Sequence, residues 1–165
     1  MQRIACLLFV LLLIAVGAFI VATTGQLPER VASHFGAGNL ANGWMTRGGY
    51  LVFMLVFALL LPVFVVCVVG WLPRRVPGAV NIPHRDQWMA PGRRATTLAT
   101  LASHACWLGC LLAVFIAGIH FAVLEANATV PPRLPADLFW TLLVGFLAAV
   151  ALWMGALYLR FRNLS

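Results

Sequence analysis

The chain has 165 residues, of which 63% are hydrophobic and only 9% are charged, and its formal net charge is +7. Soluble domains carry about 25% charged residues, so this composition excludes an ordinary water-soluble domain. The length leaves room for four membrane spans and short loops, and we expect one membrane domain over residues 1–165.

Four stretches of the chain contain no charged residue, and each is long enough to cross a membrane. About 20 apolar residues in a helix span the ~30 Å hydrocarbon core. We therefore predict an all-α integral membrane four-helix bundle, with spans at about residues 4–22, 48–72, 96–124 and 138–159. The first apolar run is longer than that of a secretory signal, so we expect it to be retained as a span.

The basic residues are all arginine, and most of them lie at one end of the predicted spans. Eight precede the first span, separate the second from the third, or follow the fourth, and three lie in the other two loops. The positive-inside rule places both termini and the loop 73–95 in the cytoplasm, with the loops 23–47 and 125–137 outside. We expect a multi-pass protein of the bacterial cytoplasmic (inner) membrane. No nucleic-acid recognition motif accompanies the charge, so we expect no nucleic-acid partner.

Small residues recur at four-residue intervals in the third and fourth spans. Such spacing lets two helix backbones approach closely in lipid, where the hydrophobic effect does not drive helix association. We expect these helices to pack together through Gly109, Ala113 and Ala117 in the third span and Gly145, Ala149, Ala151 and Gly155 in the fourth.

The outer loop 23–47 is rich in glycine, asparagine and proline, which predicts an ordered, turn-rich loop. Its polar residues stand out in an apolar chain, and binding residues are common on such loops. We expect it to bind an extracytoplasmic peptide or envelope protein through His34, Phe35, Asn42, Gly43 and Trp44.

The inner loop 73–95 combines arginines with prolines that oppose a continuous helix. We expect it to lie on the membrane surface, with Ile82, Trp88 and Met89 at headgroup level. Anionic lipid would be contacted by Arg74, Arg75, Arg85, Arg93 and Arg94.

Both loops resemble one family of bacterial membrane proteins. The outer-loop matches are Leu27, Pro28, Val31, His34, Phe35, Gly43 and Trp44, whereas Ala32 and Asn42 replace a proline and an acidic residue. The inner-loop motif is formed by Asn81, Pro83, Asp86, Trp88 and Pro91. Other matches to the family pattern are Ile82, Ala90, Arg93 and Arg94, and the residues that differ from it are His84, Gln87 and Gly92. These residues resemble the family called domain of unknown function 1648, a domain also found at the N-terminus of SdpI-type immunity proteins.

The resemblance implies two roles as expectations. SdpI-type proteins protect the cell against a secreted toxin and, in some cases, hold a transcriptional repressor at the membrane. Those chains have further spans beyond this domain, and the present chain is shorter.

The histidines are the main candidates for chemistry inside the spans. His104 and His120 are ~24 Å apart along one helix and cannot share a metal, and the other spans offer no facing histidine for a haem. His120 with Glu125 is a candidate polar or metal site, to which His34 would add a ligand. The alternative is that these histidines are hydrogen-bonded loop and interface residues.

The four cysteines, Cys6, Cys67, Cys106 and Cys110, fall in the cytoplasmic halves of their spans, away from an outer disulfide. We expect them to fill helix interfaces as small apolar side chains. A soft-metal site of Cys106 and Cys110 with His104 is the alternative.

No enzyme signature is found, because the chain has no phosphate loop, no zincin helix and no nucleophile elbow, and its spans hold no carboxylate. We expect a non-enzymatic protein without a cofactor, with a recognition, immunity or regulatory role through its outer loop. One alternative is a small oligomeric transporter or channel subunit, which implies a homo-oligomer. Another is a metal- or quinone-linked redox subunit.

Overall fold

A computed structural model of the protein, described over residues 2–163, contains four long apolar helices. They are α1 (Gln2–Thr24), α2 (Arg47–Val66), α5 (Pro91–Asn127) and α6 (Ala136–Arg162). A π-helical turn (Cys67–Trp71) and α3 (Leu72–Arg75) extend the second helical run to Arg75, and α4 (Arg85–Trp88) is a single turn before α5. All four runs are long and apolar enough to cross a membrane. The predicted all-α membrane bundle is confirmed.

The outer loop is more regular than the predicted turn-rich segment. It forms an antiparallel hairpin of β1 (Arg30–Phe35) and β2 (Ala41–Thr46), joined by the 3₁₀ turn Ala37–Asn39. Gly38 and Asn39 in that turn have φ of 74° and 62°, which explains why a glycine and an asparagine stand there. We call the end of the bundle that carries this hairpin the hairpin end.

The opposite end of the bundle carries the inner loop, the start of α1 and the end of α6. It includes eight of the eleven arginines and one acidic residue, Asp86. We call it the arginine-rich end.

The main core lies between α1, α2 and α5 and reaches up to the hairpin. Its buried members include Ile20, Tyr50, Ala58 and Ile116, and Val31 of β1 joins the same cluster. A second cluster of Ala5, Phe9, Val66, Ala105, Cys106 and Cys110 fills the same three-helix interface nearer the arginine-rich end. Helix α6 lies outside this core, and Phe161 is the buried residue of its described length.

The small residues of α5 that were predicted to contact α6, which are Gly109, Ala113 and Ala117, pack in the core with α1 and α2 instead. A Cβ at Gly109 would lie 2.6 Å from Val66 and 2.7 Å from Phe9, which belong to α2 and α1. Gly145 and Gly155 of α6 have open space at their Cβ positions. Helices α5 and α6 do meet, through the rings of Phe115 and Phe146, whose centroids are 4.5 Å apart, and at Gly118, where a Cβ would lie 2.6 Å from Leu142.

Two of the cysteines are not simple interface filler. Cys6 of α1 and Cys106 of α5 are joined by a disulfide, with their Cα atoms 5.3 Å apart. Cys110 is buried and Cys67 is exposed. Sequence spacing could not show this pair, because the two residues lie 100 positions apart.

Candidate functional site

The hairpin has one face packed on the bundle and one face exposed. Val31, Phe35 and Met45 pack against the main core cluster, whereas His34, Asn42 and Trp44 are exposed. This alternation follows from the two-residue period of a strand. Phe35 was expected on the binding surface, and the structure instead places it on the inner face as part of the packing.

The side chain of Asn127, at the end of α5, holds β1 in place. Its amide oxygen accepts from the Ala32 N–H at 2.8 Å, and its amide nitrogen donates to the Ala32 carbonyl at 3.0 Å. One side chain therefore pairs with β1 as a neighbouring strand would. Asn127 was not singled out from the sequence, since an isolated asparagine at a predicted span end carries no distinguishing pattern.

The tip of the hairpin is held by the second outer loop. The Ala41 N–H donates to the Pro132 carbonyl at 3.2 Å, and the Leu134 N–H donates to the Asn39 carbonyl at 2.9 Å. At the base of the hairpin, the Arg47 guanidinium donates to the Leu27 carbonyl at 3.1 Å. The hairpin is thus fixed at both ends and along β1.

The exposed face carries two side-chain pairs. The Arg30 guanidinium lies 5.0 Å from the centre of the Trp44 ring, a cation–π contact. The His34 Nδ1 donates to the amide oxygen of Asn42. Asn42 and Trp44 lie two residues apart on β2, and each contacts a residue of β1, so the four side chains form one continuous patch. We call Arg30, His34, Asn42 and Trp44 the hairpin patch.

Gly43 supports this patch by having no side chain. It pairs with His34 in the hairpin, and a Cβ at Gly43 would lie 2.9 Å from the His34 Cβ. A larger residue would therefore displace the His34 ring. Gly43 positions the surface rather than contacting a partner through a side chain.

Beneath the hairpin, His120 of α5 is fully buried between α1 and α2. Its Nε2 lies 2.8 Å from the Thr23 hydroxyl and its Nδ1 lies 2.9 Å from the Tyr50 hydroxyl. The Thr23 hydroxyl donates its hydrogen to the Phe19 carbonyl at 2.7 Å, so it can only accept from His120. His120 is therefore protonated on Nε2 and accepts at Nδ1 from Tyr50.

This arrangement satisfies both nitrogens of a neutral imidazole, one as a donor and one as an acceptor. It matches the interface-histidine interpretation made from the sequence. Tyr50 and Thr23 were not singled out from the sequence as members of the site, and Thr23 was included in the predicted outer loop.

The structure does not bring His120, Glu125 and His34 together. Glu125 is exposed on another face of α5, since five residues turn a helix by about 140°, and His34 lies on the outer face of the hairpin. Over residues 2–163, no group of three or more histidine, cysteine or acidic side chains is arranged to hold a metal ion. His120 and Glu125 therefore do not form the polar or metal site that the sequence suggested.

At the arginine-rich end, Trp88 is buried within the protein, so its ring has little surface left for contact with lipid headgroups. It packs with Val80, Leu101 and Phe161, and its indole N–H donates to the Phe161 carbonyl at 3.0 Å. The Thr97 hydroxyl donates to the Trp88 carbonyl at 2.9 Å. Trp88 therefore joins the inner loop to α5 and α6, which explains a tryptophan in the inner-loop motif.

The other motif residues shape the loop around Trp88. Pro91 occupies the first turn of α5, where a missing N–H costs nothing. Asp86 is exposed in the first turn of α4, with a carboxylate oxygen 3.8 Å from Arg85. Asn81 is exposed and Pro83 is half-buried beside the turn that leads into α4.

The arginines expected to contact lipid are at the surface of this end. Arg75, Arg85, Arg93 and Arg94 are exposed, and Arg74 is half-buried with its guanidinium 4.1 Å from the Trp71 ring centre. Arg93 lies over the Trp88 ring at 5.3 Å. Arg160 of α6 lies over the same ring at 5.5 Å and was absent from the sequence-based set.

Comparison with known proteins assigns part of the chain. No curated protein and no solved structure matches it. The family model described as Domain of unknown function (DUF1648) matches residues 10–60, which run from α1 through the hairpin into α2. The inner loop lies outside the matched range. The resemblance to this family is therefore confirmed over residues 10–60, which match its model, and the four long apolar helices indicate a multi-pass membrane protein.

Proposed function

We propose that this protein is a non-enzymatic component of the bacterial cytoplasmic (inner) membrane that recognises an extracytoplasmic peptide or envelope protein through the hairpin patch. The observation that carries the proposal is the way the hairpin is held. One face belongs to the helix core, and Asn127 and the second outer loop bond to its backbone, while four polar or aromatic side chains are left exposed.

The composition of the hairpin patch suits a binding surface. Trp44 is 44% exposed and is stacked by Arg30, and tryptophan and arginine are the residue types that most often dominate binding energy. His34 and Asn42 add hydrogen-bonding groups beside them. A partner with an acidic or aromatic side chain, presented on an exposed segment, would complement this surface.

The rigidity of the hairpin supports the same proposal. A loop that must order on binding loses part of the interaction free energy to conformational entropy. Here the backbone of the hairpin is hydrogen-bonded to the Asn127 side chain and to the backbone of Pro132 and Leu134, which order it before a partner arrives. An immunity or regulatory role, in which a secreted toxin or signal is captured at the outer surface, is consistent with such a preformed surface.

The transporter alternative fits the packing less well. The centre of the bundle is filled by Ile20, Ala58 and Ile116, each at most 2% exposed, so a path along the axis of a single chain is blocked. A pore between copies of the chain would be required. Proton or metal flux in liposomes containing the purified protein would favour that alternative.

The test is complementation of a deletion strain that is sensitive to a secreted or envelope-active peptide. We expect the double variant Arg30→Gln, Trp44→Ala to lose protection, with at least a tenfold drop in the tolerated peptide concentration, since central tryptophan and arginine contacts each contribute about 2 kcal/mol or more. Protein amount in the membrane is measured in parallel.

Trp140→Ala is the matched control, because Trp140 is an exposed tryptophan at the same end of the bundle but outside the hairpin. Asn127→Ala is a second test variant. It keeps the side chains of the hairpin patch but removes the hydrogen bonds that hold β1, and we expect a partial loss of protection. Full complementation by His34→Ala and by the double variant would refute the proposed surface.

A further inference from the structure

A disulfide joins α1 to α5 close to the arginine-rich end. Cys6 lies four residues after the start of α1 at Gln2, about 6 Å along the helix axis. Its Cα atom is 5.3 Å from that of Cys106, which is within the usual range for a disulfide. The bond therefore fastens the first turns of α1 to the middle of α5.

The predicted orientation places this bond on the reducing side of the membrane. The arginine-rich end is expected in the cytoplasm by the positive-inside rule. Cytoplasmic thiols are kept reduced, and the disulfides that do form there are usually transient, with a catalytic or redox-sensing role. A disulfide at this end therefore suits a reversible role better than a permanent one.

The two sulfurs of the bond differ in how far they can be reached. Cys106 is 1% exposed, whereas Cys6 is half-buried. Arg3 is exposed one turn before Cys6, on the same side of α1, and its positive charge favours the approach of a thiolate. A thiol reductant therefore attacks the Cys6 sulfur, and the Cys106 sulfur is the leaving group.

Reduction proceeds by thiol–disulfide exchange with a dithiol as the reductant. One thiolate of the dithiol bonds to the Cys6 Sγ, the Cys6–Cys106 bond breaks, and the Cys106 sulfur leaves with the electron pair and takes up a proton. The second thiol of the dithiol then attacks the mixed disulfide and releases Cys6, which also takes up a proton. Two electrons and two protons pass to the protein, and the dithiol becomes a disulfide. Oxidised glutathione reverses the exchange by accepting the two electrons.

The packing around the disulfide holds α1 in place without it. Ala5 and Phe9 of α1 are 1% and 5% exposed and belong to the same buried cluster as Val66 of α2. Phe9 also lies against Gly109 of α5. These contacts remain when the sulfurs separate, so the reduced chain keeps its three-helix core. Only the start of α1 gains freedom.

Cys110 provides a natural comparison for Cys106. It lies one turn further along α5 and belongs to the same buried cluster, but its thiol is free. The two cysteines therefore share their helix and their surroundings and differ in bonding. A change that depends on the disulfide should follow Cys106 and not Cys110.

We propose that Cys6 and Cys106 form a reversible redox switch. When oxidised, the pair locks the start of α1 to α5, and reduction by a cytoplasmic dithiol releases that segment while the bundle stays folded. The switch is independent of the hairpin patch, which lies at the other end of the molecule.

The first experiment follows the thiols of the purified full chain in detergent, without denaturant. The chain is treated with dithiothreitol and then with oxidised glutathione, and its free thiols are counted by the gel shift of a polyethylene glycol maleimide. We expect two reactive thiols, Cys67 and Cys110, in the oxidised chain and all four cysteines after reduction. Oxidised glutathione should restore the first pattern.

Thermal unfolding with matched variants tests the lock. We expect reduction to lower the unfolding midpoint by roughly 5 °C or more, because the bond restrains the unfolded chain over a separation of 100 residues. Cys106→Ala and Cys6→Ala should each remove this response to dithiothreitol, whereas Cys110→Ala should retain it. Two variants on different helices keep the test valid if one of them fails to fold.

Amide hydrogen exchange locates the segment that is released. Reduction should speed exchange in α1 before Phe9, while exchange around Ile116 in the main core should not change. In cells, the oxidised fraction should rise with diamide, an oxidant of cytoplasmic thiols, and fall after its removal.

Four results would overturn the proposal. Opening of the bond only after denaturation would show a permanent structural disulfide, and loss of protection throughout the bundle on reduction would show a bond that the fold requires. Four reactive thiols even in oxidised glutathione would show that the pair does not bond. An oxidised fraction that diamide leaves unchanged in cells would remove the cytoplasmic role.

Discussion

His120 shows how one buried polar side chain organises three helices. The hydrogen bonds run in one direction, from the Tyr50 hydroxyl to His120, from His120 to Thr23, and from Thr23 to the Phe19 carbonyl. This series of hydrogen bonds ends on a backbone carbonyl, from which a proton has no further acceptor to reach. The geometry therefore favours a role in positioning α1, α2 and α5 over a role in proton transfer.

Removing the Tyr50 hydroxyl should destabilise the bundle. Tyr50→Phe keeps the ring but leaves the buried His120 Nδ1 without a donor, and we expect a loss of about 1 kcal/mol in the free energy of unfolding. The measurement is thermal or denaturant unfolding in detergent. Tyr158→Phe is the control, since Tyr158 is 58% exposed, and equal stability of the two variants would contradict the hydrogen-bonded chain.

The sequence identified His120 but assigned it the wrong neighbour. An ionisable residue inside a span is a candidate at once, because it is expensive in lipid. Its partners depend on which way α5 is rotated, and five residues along the helix carry Glu125 to another face. Tyr50 and Thr23 become partners only when α1 and α2 are placed against α5.

At the scale of elements, α5 is the helix around which the others are arranged. Its small residues let α1 and α2 approach, as the contacts of Gly109 with Phe9 and Val66 show. Helix α6 packs on a different face of α5, through Phe115 and Phe146 and through the Trp153 indole N–H, which donates to the His104 carbonyl at 2.8 Å. Four-residue spacing predicted close helix contact correctly for α5, but it could not say with which helix.

Two glycine substitutions test this arrangement. Gly109→Val would force side chains of α1 and α2 apart, and we expect a loss of about 1–3 kcal/mol in stability. Gly155→Ala adds a methyl group in open space on α6, and we expect a gain of up to about 1 kcal/mol, because alanine is the better helix former. Unfolding midpoints in the same detergent compare the two. A larger loss of stability in Gly155→Ala than in Gly109→Val would contradict this arrangement. It would favour the packing predicted from the sequence, in which Gly155 contacts α5.

The hairpin is the element that the local sequence pattern predicted least well. Glycine and asparagine at residues 36–43 favour turns, and these residues do form the turn and the start of β2. The strands themselves are short, and their inner face is buried only because the ends of α1, α2 and α5 lie beneath it. Their stability therefore comes from contacts with the bundle and with Asn127.

At the scale of the whole molecule, the two ends differ sharply in charge. The arginine-rich end carries eight arginines and one acid, whereas the hairpin end carries three arginines and three acids. By the positive-inside rule, this asymmetry predicts that the basic end lies in the cytoplasm. The side of the membrane on which the hairpin patch lies depends on this orientation.

Thiol labelling of intact cells tests the orientation directly. A cysteine at Asn42 should react with a membrane-impermeant maleimide in intact cells, and a cysteine at Ala79 should react only after permeabilisation. The unsubstituted chain is the control, since it contains the exposed Cys67 within the second helical run. Labelling of the Ala79 position in intact cells would reverse the assignment.

The sequence by itself determined the membrane character, the number of helices and the separation of charge, because these follow from averages over about 20 consecutive residues. It also contained enough of the outer-loop pattern to identify the DUF1648 segment. Only the tertiary structure decided that His120 bonds to Tyr50 and Thr23, that Cys6 meets Cys106, and that Trp88 lies buried under two arginines. Those contacts depend on how each helix is rotated and which neighbours it meets, and in a chain apolar on every side hydropathy carries almost no information about rotation.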